Sequence, residues 1–141
     1  LLMDSLGKRV VFLDEVISSL NLRGIKALHS RAEDAGINPE YRESFDAAAA
    51  RAVASLPVLL EYCLPLVKLG GVFIAMKGSD PSETEQSKKA LDVLGGEIED
   101  IKEFTLPFSN IKRNVIVVRK FRQTPTKYPR KAGKPTKEPL I

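Results

Sequence analysis

The stretch LLMDSLGKRVVFL, residues 1–13, decides the fold because a short apolar segment ends on an acid and a helical pattern follows. LLMD is predicted to be the end of a strand that finishes at Asp4, and Ser5 is placed to cap the next helix. The apolar residues of that helix share one face at helical spacing: Val10, Leu13, Val16, Ile17 and Leu20. A strand followed directly by an amphipathic helix is typical of α/β proteins.

The rest of the chain continues this alternation. GIKALHS, FDAAAARAV and GGVFIAMKG are predicted strands, with FDAAAARAV buried, and LPVLLEYCLPLVK is a predicted helix that Pro65 kinks or ends. DPSETEQSKKALDVLGG is a further helix, with Asp80 as its cap and Pro81 at its first position. EIEDIKEFTL and RNVIVVRKF alternate in period two and predict a closing antiparallel pair. We therefore expect an α/β fold with a mostly parallel sheet and helices on both faces.

Composition bounds the class of protein. The 141 residues are ordinary for one domain, and 43% hydrophobic with 28% charged content fits a globular protein. Its apolar runs are shorter than the roughly 20 residues of a membrane span, so no membrane association is expected. The single Cys63 and single His29 argue against a disulfide framework and against a metal site built on these residue types. A lone thiol favours a reducing, cytoplasmic compartment.

The charge is distributed unevenly along the chain. Residues 119–141 carry eight basic side chains against one acid, a net +7, so residues 1–118 carry −3 and the total is +4. A basic tail on an acidic body favours a polyanionic partner, although a solvated, disordered tail is an equal alternative. The Pro/Lys-rich composition predicts an extended or disordered segment. We divide the chain into residues 1–122 and a basic tail, 123–141.

Ligands of parallel α/β sheets bind beyond the carboxyl ends of the strands, which selects a few residues. Asp4 is placed to bind ribose hydroxyls, or simply to favour the dipole of its helix. Ala32 and Glu33, after the next strand, suit an adenine edge or a polar surface loop. Arg51 suits a ligand carboxylate or phosphate, or an ion pair with Glu61. Lys77 follows the same logic as Arg51.

The remaining reactive side chains look structural. His29 is predicted to be packed or hydrogen-bonded, and Cys63 to belong to the core.

With these positions aligned, the chain resembles the bacterial glucose-inhibited division protein B family, the 16S ribosomal RNA guanine-N7 methyltransferases. The matching stretches are DSLGKRVVFL, SRAED, FDAAAARAVASL, GGVFIAMKG and KYPRKAGKPTKEPL. The resemblance implies a Rossmann-like methyltransferase fold that uses S-adenosylmethionine. It places Asp4 and Ser5 on the ribose side of the cofactor, Ala32 and Glu33 on the adenine side, and Arg51 at the cofactor or substrate end of the pocket.

The resemblance also implies parts that this sequence does not contain. These are the family's first strand, which is central in its sheet between the strands that end at Asp4 and at Arg51, and the glycine-rich loop after it. We therefore expect half of the cofactor pocket upstream of Leu1, and an inactive fragment in this chain taken alone.

The implied chemistry needs few catalytic side chains. Guanine N7 carries a free lone pair, so its methylation requires alignment of donor and acceptor but no general base. The small ribosomal subunit or its RNA is the expected partner. The candidate RNA-binding residues are Lys77, Arg122, Lys127, Arg130, Lys131 and Lys134.

Two other hypotheses stay open at this point. A nicotinamide-dependent oxidoreductase shares the strand order, although its G-x-G-x-x-G turn is not in the sequence and the antiparallel pair argues against it. A non-catalytic RNA-binding fragment is the other alternative.

Overall fold

The computed structural model describes residues 1–78, 80 and 82–141. Its elements follow the predicted alternation, and α3 ends in a single 3-10 turn at Leu64–Leu66. In chain order they are β1 (Leu2–Asp4), α1 (Gly7–Ser19), β2 (Ala27–His29), α2 (Ala32–Ile37), β3 (Phe45–Arg51), α3 (Leu56–Cys63), β4 (Val67–Lys77), α4 (Ser82–Gln86), α5 (Lys88–Leu94), β5 (Gly96–Thr105), β6 (Lys112–Lys120) and α6 (Lys134–Lys137).

The strands form two sheets. β1 and β2 pair in parallel, and a second sheet has the order β3-β4-β6-β5. β3 and β4 are parallel, whereas β6 runs antiparallel to both β4 and β5. The α/β class and the closing antiparallel pair are therefore confirmed. The expected continuous sheet is divided between β1 and β3, which share no backbone ladder among the described residues.

A cleft of about 430 Å³ lies between the edges of β1 and β3, lined by Leu1, Leu2 and the alanines of β3. Its position is the one that the resemblance gave to a further strand. The prediction that FDAAAARAV is a strand is confirmed, but the prediction that it is buried is wrong. Ala47 and Ala49 are exposed because they stand on the face of β3 opposite to the one on which Ala48 and Ala50 pack against the core.

The core lies between the second sheet and the helices α3 and α5. Phe73 and Val118 from the sheet are fully buried against Leu60 and Leu94 from these helices. Pro65 ends α3 as expected, since the helix gives way there to the 3-10 turn.

Two local predictions are corrected. The helix predicted after Asp80 is broken into α4 and α5 at Ser87, whose hydroxyl donates to the Glu83 carbonyl at 2.6 Å. The predicted cap at Asp80 accepts the Ser82 backbone N–H at 2.9 Å, while the predicted helical start at Pro81 lies outside the described residues. Ser5 does not cap α1: the cap position is Leu6, whose N–H donates to the Asp4 carboxylate.

The basic tail is folded onto the body, so the prediction of an extended or disordered tail is wrong. Tyr128 and Leu140 are buried in the hydrophobic core cluster, and Pro129 packs against Gly36 of α2. Arg42 donates to the backbone carbonyls of Thr124 and Tyr128 at 2.7 and 2.8 Å. Sparse apolar residues suffice because each is placed in contact with an existing core.

A buried ion pair holds the tail a second time. Glu61, only 1% exposed, accepts three hydrogen bonds from the side chain of Arg130 and one from its backbone N–H. The hydrogen-bonded carboxylate raises the pKa of the Arg130 guanidinium. Glu61 is therefore the partner of Arg130 and not, as one sequence alternative had it, of Arg51.

Candidate functional site

One cleft brings together all five residues that the sequence assigned to a cofactor. Its volume is about 820 Å³, and Asp4, Ser5, Ala32, Glu33 and Arg51 all line it. β1, α2 and β3 supply these residues from their adjoining ends, as expected for carboxyl ends of parallel strands. We call this the Asp4–Arg51 cleft.

Asp4 is positioned by its own helix. Its Oδ1 accepts the Leu6 backbone N–H at 2.8 Å, and its Oδ2 lies 3.3 Å from Nη1 of the exposed Arg9. The Leu6 hydrogen bond, supported by the Arg9 guanidinium, holds the pKa of the Asp4 carboxyl below its usual value. The carboxylate is thus fixed in direction and ionised at neutral pH. It keeps lone pairs for a ligand because a carboxylate has about four acceptor sites.

Glu33 is held from the opposite side by the tail. It lies in the first turn of α2, is 7% exposed, and its Oε1 accepts the Gly133 backbone N–H at 3.1 Å. Gly133 has a φ of 81°, a conformation that favours glycine. Ala32 begins α2 beside it, so a backbone N–H and a carboxylate are presented together in the cleft.

Arg51 ends β3 and is exposed. Within the described part of the chain its guanidinium makes neither a hydrogen bond nor an ion pair. The neighbouring Ala52 has a φ of 53°, so the backbone turns sharply there. An arginine without an internal partner is free to bind an anionic group in the cleft.

The tail adds residues that the sequence did not point to. Gly133, Thr136 and Pro139 line the same cleft, and the Thr136 hydroxyl lies 3.0 Å from the Tyr62 hydroxyl of α3. No local pattern predicts this, because the contact joins residues 74 positions apart.

The predicted RNA-binding residues divide into two groups. Lys77 donates to the Ala54 carbonyl at 2.8 Å and pairs with Glu83 at 3.1 Å, and Arg130 pairs with the buried Glu61. These two cations are occupied inside the protein, so their contact with RNA is a prediction that the geometry does not favour. The other four are exposed on the surface: Arg122, Lys127, Lys131 and Lys134.

The remaining reactive side chains have structural surroundings. His29 Nε2 donates to the Ser5 carbonyl at 3.1 Å. Burial raises the pKa of the Cys63 thiol to about 12, so it stays protonated at neutral pH. Among the described residues, no group of three or more His, Cys, Asp and Glu side chains is arranged to hold a metal ion. None of the described helices is both long enough and apolar enough to traverse a bilayer.

Comparison with solved structures identifies the class of fold. A SAM-dependent methyltransferase from Methanosarcina mazei superposes with a TM-score of 0.60 at 12% identity, over 86% of this chain and 81% of that one. An rRNA methylase from Streptococcus thermophilus gives a TM-score of 0.57 at 15% identity, over 85% and 72%. The fold is that of the Rossmann-like methyltransferases.

The family follows from the sequence. Residues 1–116 match the family model described as GidB, rRNA small subunit methyltransferase G, and the chain belongs to that family. It is similar to the ribosomal RNA small subunit methyltransferase G of Acetivibrio thermocellus, with 68% identity over 99% of this chain and 57% of the relative. The corresponding protein of Lactobacillus johnsonii is 54% identical over 99% and 59%. The chain thus spans somewhat more than half the length of these relatives.

Proposed function

We propose that this chain is part of an enzyme that transfers a methyl group from S-adenosylmethionine to N7 of a guanine in 16S ribosomal RNA. The observation that carries the proposal is the Asp4–Arg51 cleft, in which five residues assigned from sequence line one cavity. Family membership and the fold of the solved relatives support the same reaction. Because the proposed substrate is ribosomal RNA, the proposal includes a cytoplasmic location.

The residues of the cleft suit a nucleoside with a charged end. The fixed Asp4 carboxylate accepts hydrogen bonds from ribose hydroxyls in a charge-assisted arrangement. Glu33, held at one oxygen by Gly133, offers its other oxygen to an exocyclic amino group. Arg51 binds the carboxylate at the other end. The sulfonium group supplies the methyl, and the protein supplies alignment.

The absence of a general base among these groups is consistent with N7 as the acceptor. His29 is committed to the Ser5 carbonyl, and the Cys63 thiol stays protonated. Guanine N7 attacks through its lone pair and loses no proton, so neither side chain is required.

The exposed lysines of the tail supply contacts to phosphate. Lys127, Lys131 and Lys134 project from a segment that is anchored to the body by Arg42 and Arg130. Phosphate contacts release counterions, so RNA binding should weaken steeply with salt. An anchored tail orients these charges relative to the cleft.

The test uses the complete gene product that contains this chain. Calorimetric titration with S-adenosylhomocysteine should show saturable binding at one site, and incubation with small-subunit RNA should yield N7-methylguanine, detected by mass spectrometry of the nucleosides. No binding of S-adenosylhomocysteine together with binding of a nicotinamide dinucleotide would replace the proposal by the oxidoreductase alternative. RNA binding without cofactor binding would support a non-catalytic role.

A further inference from the structure

A second cleft opens at the same end of the sheet. Its volume is about 680 Å³, and it lies where β3 and β4 end and where the antiparallel β6 begins. We call it the strand-end cleft. It is lined by Arg51, Ala52, Met76, Lys77, Gly78, Phe104, Leu106, Arg113, Asn114 and Val115.

The two clefts adjoin each other at two shared residues. Arg51 and Ala52 line both the Asp4–Arg51 cleft and the strand-end cleft. Methyl transfer by in-line displacement needs donor and acceptor side by side with the reacting atoms in contact. A second cavity that adjoins the first one at Arg51 has the position that an acceptor beside a bound donor requires.

The chemistry of the strand-end cleft suits a nucleotide. Phe104 and Arg113 are directly opposite each other in the β5–β6 register, so their side chains stand on the same face of the sheet. Phe104 is 43% exposed, which leaves its ring accessible. Within the described residues, the only hydrogen bond of the Arg113 guanidinium is to the adjoining Lys112 carbonyl, and it has no carboxylate partner. An aromatic surface beside a free guanidinium is a typical platform for a base and its phosphate.

One polar group at this cleft lacks a partner. The Asn114 side chain carries the buried oxygen that, within the described residues, has no hydrogen-bond partner. Unsatisfied buried polar atoms are rare in folded proteins and call for an explanation. Asn114 lies opposite Lys77 at the end of β4, on the other face of β6 from its neighbour Arg113, so its amide is not part of the surface formed by Phe104 and Arg113.

We propose that the strand-end cleft binds the acceptor nucleotide of the RNA, an unpaired purine that stacks on Phe104 while its phosphate contacts Arg113. The inference rests on the proposed function and adds the location of its substrate site. Stacking on Phe104 requires a base that has left its helix, so the acceptor lies in a single-stranded loop or bulge.

The test measures RNA binding separately from methyl transfer. Fluorescence anisotropy of the complete gene product is recorded with a single-stranded RNA that carries one purine in a pyrimidine background. The same strand with an abasic site at that position is the reference. Wild type should prefer the purine strand by about fivefold or more, the lower range of base–aromatic stacking. Phe104→Ala should remove this preference and leave affinity for the abasic strand unchanged.

Three further variants separate the contributions of the ring, the apolar volume and the charge. Phe104→Tyr keeps the ring and should keep the preference, whereas Phe104→Leu keeps apolar volume and should lose it. Arg113→Ala should weaken both strands alike and lower the salt slope by about 1. Two matched controls lie outside the cleft. Phe108→Ala removes a fully exposed aromatic ring, and Lys68→Ala removes a charge at the opposite end of β4.

The outcomes distinguish this inference from the function on which it rests. Retention of the purine preference in Phe104→Ala and Phe104→Leu overturns the inference, and so does a wild type that does not distinguish the two strands. Either result leaves methyl transfer intact if S-adenosylhomocysteine binding and N7-methylguanine formation are observed. If the wild type neither binds S-adenosylhomocysteine nor forms N7-methylguanine, the proposed function is overturned instead.

Discussion

At the scale of single residues, the structure separates cations that look alike in the sequence. Arg51 and Arg130 were both candidates for binding an anion outside the protein. Arg130 is bound by the buried Glu61, whereas Arg51 has no partner within the described residues. Where the sequence left the two roles of Arg51 equally open, the geometry favours binding of a ligand, because its proposed structural partner is occupied.

Arg51→Ala in the complete gene product should therefore lower methyl transfer without lowering stability. Loss of one charge-assisted contact of about 1.5–3 kcal/mol corresponds to a reduction of about 10- to 150-fold in kcat/KM. The midpoint of thermal unfolding should stay within a degree or two, since the side chain supports nothing else. Lys68→Ala, at the other end of the sheet, is the control; an unchanged rate in Arg51→Ala would return the residue to a structural role.

At the scale of elements, helix ends and the tail are fixed by contacts between distant segments. The C-cap of α5 is Gly95, which has a φ of 83° and whose carbonyl accepts the Phe121 N–H at 3.0 Å. An added Cβ at Gly95 would lie against the carbonyl oxygen of Arg122, whereas one at Gly70, with a φ of 77°, would meet open space. The two glycines share a backbone conformation and differ in their surroundings.

The substitutions Gly95→Ala and Gly70→Ala separate the cost of the left-handed backbone from the cost of the steric clash. Gly70→Ala should cost about 1 kcal/mol, the strain of a left-handed backbone with a Cβ. Gly95→Ala should cost that amount and a further 1–3 kcal/mol or so, because the chain after β6 must move. Urea unfolding followed by circular dichroism gives both values, and equal losses would contradict the packing seen around Gly95.

Glu43 ties the start of β3 to the end of β6 and to the tail. Its Oε1 accepts Lys120 Nζ at 2.7 Å and the Thr124 N–H at 2.9 Å, and Lys120 also donates to the Leu64 carbonyl at 2.7 Å. Partial burial raises the pKa of the Glu43 carboxyl, but hydrogen bonds from Lys120 and Thr124 outweigh it, and the net pKa is lowered. Lys120 stays protonated at acid pH, so the acid response of this pair belongs to Glu43.

The lowered pKa predicts how stability depends on pH. The folded state holds the Glu43 carboxylate ionised below the unfolded value of 4.5, so its contribution is present above pH 4.5 and is lost as the pH falls through the folded-state pKa. Glu43→Gln should lose about 3–5 kcal/mol at pH 7, because Lys120 is left buried without its counter-charge. The difference between wild type and variant should shrink below pH 4.5.

The difference in stability between wild type and Glu43→Gln separates the contribution of Glu43 from that of the other acids. Asp4, Asp46 and Asp80 also have lowered pKa values and contribute to the acid limb in both proteins. Chemical unfolding at a series of pH values gives the comparison. A difference that stays constant from pH 7 to pH 3 would show that Glu43 does not titrate with folding.

At the scale of the whole molecule, the site depends on how two sheets are held together. Asp4 belongs to the β1–β2 pair and Arg51 to the four-stranded sheet, and no ladder joins β1 to β3 in the described structure. A strand pairing would fix the distance between these residues rigidly, whereas here side-chain packing and the tail must do so. The cleft of about 430 Å³ lies between the edges of β1 and β3, where, among the described residues, no backbone hydrogen bonds fix the distance between the two strands.

The 141-residue chain alone should therefore bind S-adenosylhomocysteine at least about tenfold more weakly than the complete gene product, a difference of about 1.4 kcal/mol. It should show no turnover on small-subunit RNA, because no strand ladder holds Asp4 in place relative to Arg51 within the described structure. Titration calorimetry and methyl incorporation on the two proteins, side by side, measure this. Full activity of residues 1–141 would refute the prediction and show that the present cleft is sufficient.

The alternation of strands and helices from β1 to β6 could be predicted from the sequence, since hydrophobic periodicity, prolines and glycines act within a few residues of one another. The division of the helix after Asp80 and the helix α6 in the tail were not predicted. The sequence also indicated which residues follow strands, and therefore that Asp4, Glu33 and Arg51 share one cleft. The strand-end cleft was not predicted because β6 is antiparallel to β4. Arg113 and Asn114 therefore stand at the beginning of their strand, whereas the sequence analysis selected only residues at the carboxyl ends of parallel strands.

Only the tertiary structure decided the state of the tail and the assignment of charges. The composition of residues 123–141 favours disorder, yet Tyr128 and Leu140 find a core made by residues far away in sequence. Lys77 and Arg130 became internal partners of Glu83 and Glu61 for the same reason. Packing and ion pairing depend on which distant groups the topology brings within a few ångströms, and local sequence pattern carries no record of that.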